Sequence, residues 1–274
     1  MVESAGAARV LIDTHAHING PEFSEDLPDV LNRAVESGVE RIICVGYDLP
    51  TSERAVALAD RHPALFAAVG LHPNSVAQAG QGWDRALRDL AAHPRVVAIG
   101  ETGLDYYRDF TPPAAQRAAL GWHLDLANEL DLPVIIHNRQ ANADITAELL
   151  GWVKTRSSPT PPGVLHSFTG DQQMMQACSE ARFAISFSGM VTFSTRSLSY
   201  LSDVARQVPD EALLIETDSP YLAPAPFRGR RNEPAFVRQV ASRLAELRGS
   251  SLDEIAQLTG RNARRVFPLL SEPV

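Results

Sequence analysis

The chain has 274 residues, 45% of them apolar, and a formal net charge of −8. That apolar share is enough for a real core, and no unbroken apolar stretch reaches about 18 residues, so no membrane-spanning helix is expected. The acidic balance argues against a protein that tracks nucleic acid through a broad basic surface. Two isolated cysteines, Cys44 and Cys178, do not make a disulfide framework, and a reduced, cytoplasmic setting is the simplest expectation. The N-terminal stretch MVESAGAARVLID has no basic segment followed by an apolar one, so no secretory signal is expected.

In chain order, strand-like apolar runs fall near 10–16, 41–46, 65–71, 96–100, 133–137, 163–168, 182–188 and 212–217. Between them lie segments whose apolar positions recur three and four residues apart, such as LPDVLNRAVESG, SERAVALADRHP, WDRALRDLAAHP and PAAQRAALGWHLDLANELD. Several stop at Gly or ahead of Pro, as helices do. SSPTPPG (157–163) reads as a helix-to-strand connection. The alternation predicts an α/β protein of eight βα units, a (β/α)8 TIM barrel, with SLDEIAQLTGRNARRVF as an extra C-terminal helix. A doubly wound sheet would carry a glycine-rich phosphate turn after its first strand, where this chain has THAHING. No low-complexity linker divides the chain, so residues 1–274 are expected to form one domain.

Six metal-capable side chains end five of these runs. They are His15 and His17 in LIDTHAH, Glu101 in VVAIGETGLDYY, His137 in PVIIHNR, His166 in GVLHSF and Asp218 in ALLIETDSPYL. Barrel active sites form at the C-terminal ends of the strands, so five strands would deliver imidazoles and carboxylates to one mouth. Residues two apart share a strand face, which lets His15 and His17 grip one ion. The same parity places Asp13 below His15 and Glu216 below Asp218. Buried carboxylates need partners, and these two either orient a ligand imidazole or make a structural contact inside the barrel. Many two-metal barrel hydrolases bridge their ions with a carboxylated lysine on the fourth strand. The sole lysine here, Lys154, lies in the helical stretch after strand five. Glu101, at the end of strand four, could instead bridge two ions about 3.5–4 Å apart.

These residues resemble the TatD-type metal-dependent deoxyribonucleases of the amidohydrolase superfamily. The resemblance runs from about Leu11 to Phe267. It is carried by DTHAH (13–17), GLHP (70–73), GETGLDYY (100–107), IHNR (136–139), HSF (166–168), SFSGMVTF (186–193), ETDSPYLAP (216–224) and FRGRRNEP (227–234). One departure is QANAD (140–144), where the family often has an acidic residue directly after the arginine. The resemblance implies a metal-dependent hydrolase barrel holding two divalent ions, Mg, Mn or Zn. One would sit among His15, His17, Glu101 and Asp218, the other among Glu101, His137 and His166. It implies hydrolysis of phosphodiesters at single-stranded DNA or RNA ends, from the 3′ end. No membrane and no obligate protein partner are implied.

The catalytic roles that follow fall to four residues. Asp218 would bind metal and accept the proton of the attacking water, and Glu101 would bridge the ions. His72 and Arg139 would neutralise charge on the phosphoryl oxygens, although Arg139 also suits a salt bridge to a barrel carboxylate. Tyr106, Tyr107, Tyr221 and Phe168 follow ligand positions and either stack unpaired bases or pack the rim. Arg228, Arg230 and Arg231 either contact phosphates or lie in a solvated loop. His62, His93 and His123 are expected to be surface residues without a role. The alternative is an amidohydrolase-type C–N or ester (lactone) hydrolase acting on a small molecule, which the fold alone admits.

Overall fold

The computed structural model describes residues 11–271, so the reading of the N-terminal segment and the start of the first run at Val10 lie outside the described residues. Eight strands alternate with helices: β1 (Leu11–Ala16), α1 (Leu27–Glu36), β2 (Val39–Val45), α2 (Leu49–Arg61), β3 (Leu65–Val69), α3 (Trp83–Ala91), β4 (Val96–Asp105), α4 (Pro113–Leu130), β5 (Val134–Arg139), α5 (Asn142–Val153), β6 (Gly163–Leu165), α6 (Gln172–Glu180), β7 (Ala184–Phe187), α7 (Tyr200–Gln207), β8 (Leu213–Ile215) and α8 (Val237–Arg248). The extra helix, α9 (Leu252–Val266), follows. Neighbouring strands pair in parallel in sequence order. The barrel closes where Asp218 N donates to His15 O (2.9 Å) and His17 N to Ser219 O (2.7 Å). This is a TIM barrel, as the alternation of runs predicts. No helix among the described residues is long and apolar enough to cross a membrane.

Local chemistry explains the helix ends. The run SERAVALADRHP begins at residue 52, yet α2 starts at Leu49. Asp48 caps it, accepting from Thr51 N at 2.8 Å while Thr51 Oγ1 accepts from Asp48 N at 3.0 Å. Pro50 is tolerated because first-turn N–H groups have no intrahelical partner. Ser251 and Glu254 build the same reciprocal cap on α9.

The apolar residues divide into two clusters. One lies between the strands and the surrounding helices, and takes in Leu11, Ile42, Leu65, Ile99, Ile136 and Leu213. The other fills the barrel with Ile12, Ile43, Phe66, Val97, Ile135, Val164, Ala184 and Leu214. Ala263, Val266, Phe267 and Leu270 join that inner cluster. Because the inner strand residues precede the ligand candidates along their strands, α9 and the turn after it close the end opposite the site.

Two of the strands that carry ligand candidates depart from simple alternation. The β1–β2 register shifts between Asp13 and Ala16, and the β4–β5 register shifts between Ile99 and Thr102. Strict alternation from Ile12, an inner residue, would turn His15 outward. The irregular stretch instead brings His15 and His17 to the mouth. Past its shift β4 does not end, and it pairs Gly103 with His137 and Asp105 with Arg139. Glu101 therefore lies within β4 and not at its end. A Cβ on Gly103 would sit 2.0 Å from His137 O, so only glycine lets the two strands approach here. β6 and β8 are shorter than their runs, which leaves His166 and Asp218 on the loops just beyond them.

Candidate metal centre

The six ligand candidates meet in one cluster at the C-terminal mouth. Glu101, only 3% exposed, organises it. Its Oε2 lies 3.4 Å from His15 Nε2 and 3.6 Å from His17 Nε2. Its Oε1 lies 2.9 Å from His137 Nδ1, 2.8 Å from His166 Nε2 and 3.5 Å from His72 Nε2. Asp218 Oδ1 completes the first group, 3.8 Å from His15 Nε2 and 3.5 Å from His17 Nε2, which are 3.1 Å apart. His137 Nδ1 and His166 Nε2 are 3.3 Å apart.

The donor set suits a cation. The His17 ring donates Nδ1–H to Val45 O (2.9 Å), so in its neutral form Nε2 carries a lone pair into the cluster. That lone pair meets another imidazole nitrogen and two carboxylate oxygens. Four donor atoms about 3.3–3.4 Å apart are what metal–ligand distances of about 2.0–2.1 Å require of a tetrahedron. Five of the six edges, all but the one between Glu101 and Asp218, run from 3.1 to 3.8 Å and bracket that value.

Outer contacts aim the rings. Glu216 Oε1 accepts from Ser167 N (2.6 Å) and faces His166 Nδ1 at 3.3 Å, so Glu216 orients the imidazole of a ligand candidate. Asp13 does not. It accepts from Thr217 N (2.9 Å) and Thr217 Oγ1 (2.6 Å), tying β1 to the loop that carries Asp218, while His15 Nδ1 is buried without a hydrogen-bond partner. The irregular register of β1 is the reason. Burial pushes the Asp13 carboxyl up to about 8.

Asp105 is a site residue that the sequence reading missed. Its Oδ2 lies 3.4 Å from His137 Nε2, and it accepts from Asn74 Nδ2 (2.9 Å), Tyr107 N (2.9 Å) and Arg108 N (3.0 Å). Burial alone would raise the Asp105 carboxyl, but His137, Asn74 and the Arg108 amide hold it below the usual range. The signal was available, because Glu101, Gly103 and Asp105 share one strand face. Burial also opposes ionisation of Glu101 and Asp218. Around Glu101 the charge of His166 and the hydrogen bonds of His137 and His15 outweigh it, and at Asp218 the His17 hydrogen bond does.

His72 joins the rim. Its Nδ1 accepts from Asn74 N (3.0 Å), so the neutral ring presents Nε2–H to the cluster. Burial, then the neighbouring His137, pushes His72 down to about 3. It is therefore a neutral donor and not a positive charge. Arg139 is exposed, with its guanidinium 3.9 Å from the Tyr107 ring centroid.

Burial corrects the expectation for His123 and, with pairing, decides readings left open for other residues. His123 is fully buried, donating to Ala119 O (2.7 Å) and accepting from Leu71 N (3.0 Å), because α4 packs against the loop after β3. Phe168 is 3% exposed and belongs to the outer core. Tyr106 donates its hydroxyl to Asp144 (2.8 Å), leaving Tyr107 and Tyr221 exposed. Arg231 is committed to both oxygens of Asp26 (2.8 and 2.6 Å), and Arg228 lies 3.6 Å from the Phe193 ring centroid.

A closed parallel barrel with imidazoles and carboxylates gathered at its C-terminal mouth defines a metal-dependent hydrolase. The profile of the TatD-related DNase family matches residues 12–268, and the chain belongs to that family. It is 40% identical over 258 residues to an uncharacterized metal-dependent hydrolase, YabD, of Bacillus subtilis, covering 94% of this chain and 99% of that one. It is 35% identical over 264 residues to the 3'-5' ssDNA/RNA exonuclease TatD of Salmonella typhimurium, covering 95% of this chain and all of that one. The crystal structure of the TatD homologue YjjV from Escherichia coli superposes with a TM-score of 0.88 at 33% identity, over 95% of this chain and 98% of the other. The protein is thus a TatD-family hydrolase acting on ester bonds.

Proposed function

We propose that the protein trims single-stranded DNA or RNA from the 3′ end with the help of two divalent ions. The observation that carries this reading is the division of Glu101, one oxygen toward His15 and His17 and the other toward His137 and His166. His15, His17, Glu101 and Asp218 would hold one ion, and Glu101, His137 and His166 the other. Bound Mg, Mn or Zn would supply Lewis acidity and a water acidic enough to attack phosphorus at neutral pH. Asp218 would accept the proton of the attacking water. His72 donates Nε2–H to a phosphoryl oxygen, and Arg139 on the rim offsets the charge of the strand. The relative named as a 3'-5' ssDNA/RNA exonuclease supports the substrate class and polarity. The net charge of −8 supports single-strand ends over duplex, since a duplex is held mainly through basic surface. Against the lactonase or amidase alternative stands the lysine. Lys154 follows the last residue of α5, far along the chain from β4.

The test is product analysis of end-labelled single- and double-stranded oligonucleotides with Mg or Mn. Stepwise loss from the 3′ end of single strands is expected. Rapid cutting of a closed circular single strand would overturn the exonuclease reading.

A further inference from the structure

Beside the cluster of ligand candidates lies a cavity of about 790 Å³ whose far wall none of these roles uses. His137, His166 and Asp218 line both it and the smaller cavity over the cluster, so the two communicate. Its far wall is apolar: Met190, Leu198 and Leu222 are only partly buried, and Tyr200 is 37% exposed. Such surface left open beside polar groups marks a ligand site. The Tyr200 hydroxyl donates to Thr169 O (2.8 Å), which fixes the ring before any ligand arrives. The near wall is polar. Asn138 donates to Asn142 Oδ1 (2.7 Å), while its own Oδ1 is buried without a hydrogen-bond partner. Among the described residues lining the cavity, Asp218 is the only carboxylate and Arg139 the only guanidinium.

We infer that this cavity receives the nucleoside next to the scissile phosphate, its base lying against Tyr200, Leu198 and Met190. A nucleobase has apolar faces and a polar edge, which matches one apolar wall opposite one amide wall. Stacking is tolerant of base identity, and a side-chain amide offers both donor and acceptor. The cavity therefore predicts affinity for single-stranded nucleotides with little sequence preference. A duplex end would have to unstack and unpair a base to fill it. This inference rests on the nuclease reading and assigns that reading a base-binding site.

The test compares kcat/KM on a single-stranded oligonucleotide with kcat/KM on bis(p-nitrophenyl) phosphate, a diester without a nucleoside. Tyr200→Ala should lower the oligonucleotide-to-diester ratio about 10-fold or more, mainly through KM, as loss of one stacking partner does. Tyr200→Phe, which keeps the ring, should hold the ratio near the wild-type value. An equal fall on both substrates, or an unchanged ratio in Tyr200→Ala, would overturn the assignment. A wild-type protein that cleaves the small diester but no oligonucleotide would instead defeat the nuclease reading itself.

Discussion

At the scale of single residues, Glu101 and Asp218 separate two effects. Both proposed ions share Glu101, so Glu101→Ala should lose metal and activity together. Asp218→Asn leaves His137 and His166 in place and should lose turnover while keeping at least one ion. Elemental analysis beside rate measurements checks both, and two-metal occupancy with a near-normal rate in Glu101→Ala would refute the bridge. Asp105→Asn removes the charge facing His137 Nε2 at 3.4 Å. Loss of such an outer partner typically costs 10–100-fold in metal affinity or activity, and that range is expected here. A metal titration of the variant at fixed pH measures it. All six ligand candidates were legible because each follows a strong apolar run. Asp105 is not legible in the same way, because the apolar run of β4 stops at residue 100 and only pairing with β5 carries the strand to 105. His123 was misread because a histidine in an amphipathic helix looks the same in sequence whether it faces water or a loop.

At the scale of elements, His123 links α4 to the loop that carries His72. Burial pushes it down to about 4, so it is neutral in the fold. An unfolded chain takes up this proton near pH 6.5, and the folded one does so only near 4. The contribution to stability is therefore complete above about pH 6.5 and is lost as pH falls toward 4, roughly 3 kcal/mol in all. His123→Gln cannot take the proton. In urea unfolding with chelator present, its deficit against wild type should shrink from pH 7 to pH 4.5, and parallel losses would reject the account. α9 invites a simpler test. Phe267 is fully buried among the inner barrel residues, and Phe267→Ala should cost about 3–5 kcal/mol by the same measurement. The existence and order of these elements were legible from periodicity. The register shifts in β1 and β4 were not, because they arise from pairing with neighbouring strands and leave no mark on apolar spacing.

At the scale of the whole molecule, the site and the closure of the barrel are one construction. The ligand candidates come from β1, β4, β5 and the loops after β1, β6 and β8, and the seam between β1 and β8 is made beside them. Asp218 N bonds His15 O, and Asp13 holds Thr217. An ion bound there would fasten together segments more than 200 residues apart in sequence, and the unfolded chain could not hold it in the same way. Binding to the folded state alone stabilises by mass action, by about 2.7 kcal/mol when free metal is at 100 times its Kd. For a chain of this size that corresponds to a rise in Tm of roughly 5 °C. Chelation should therefore lower Tm, and added Mn or Zn should restore it in a concentration-dependent way. Glu101→Ala should unfold at a temperature that neither chelator nor metal moves. Calorimetric scans of both proteins across a metal series decide the matter. A wild-type Tm indifferent to metal would mean that the barrel closes without help from its site, and a Glu101→Ala variant that still responds would place the stabilising ion elsewhere.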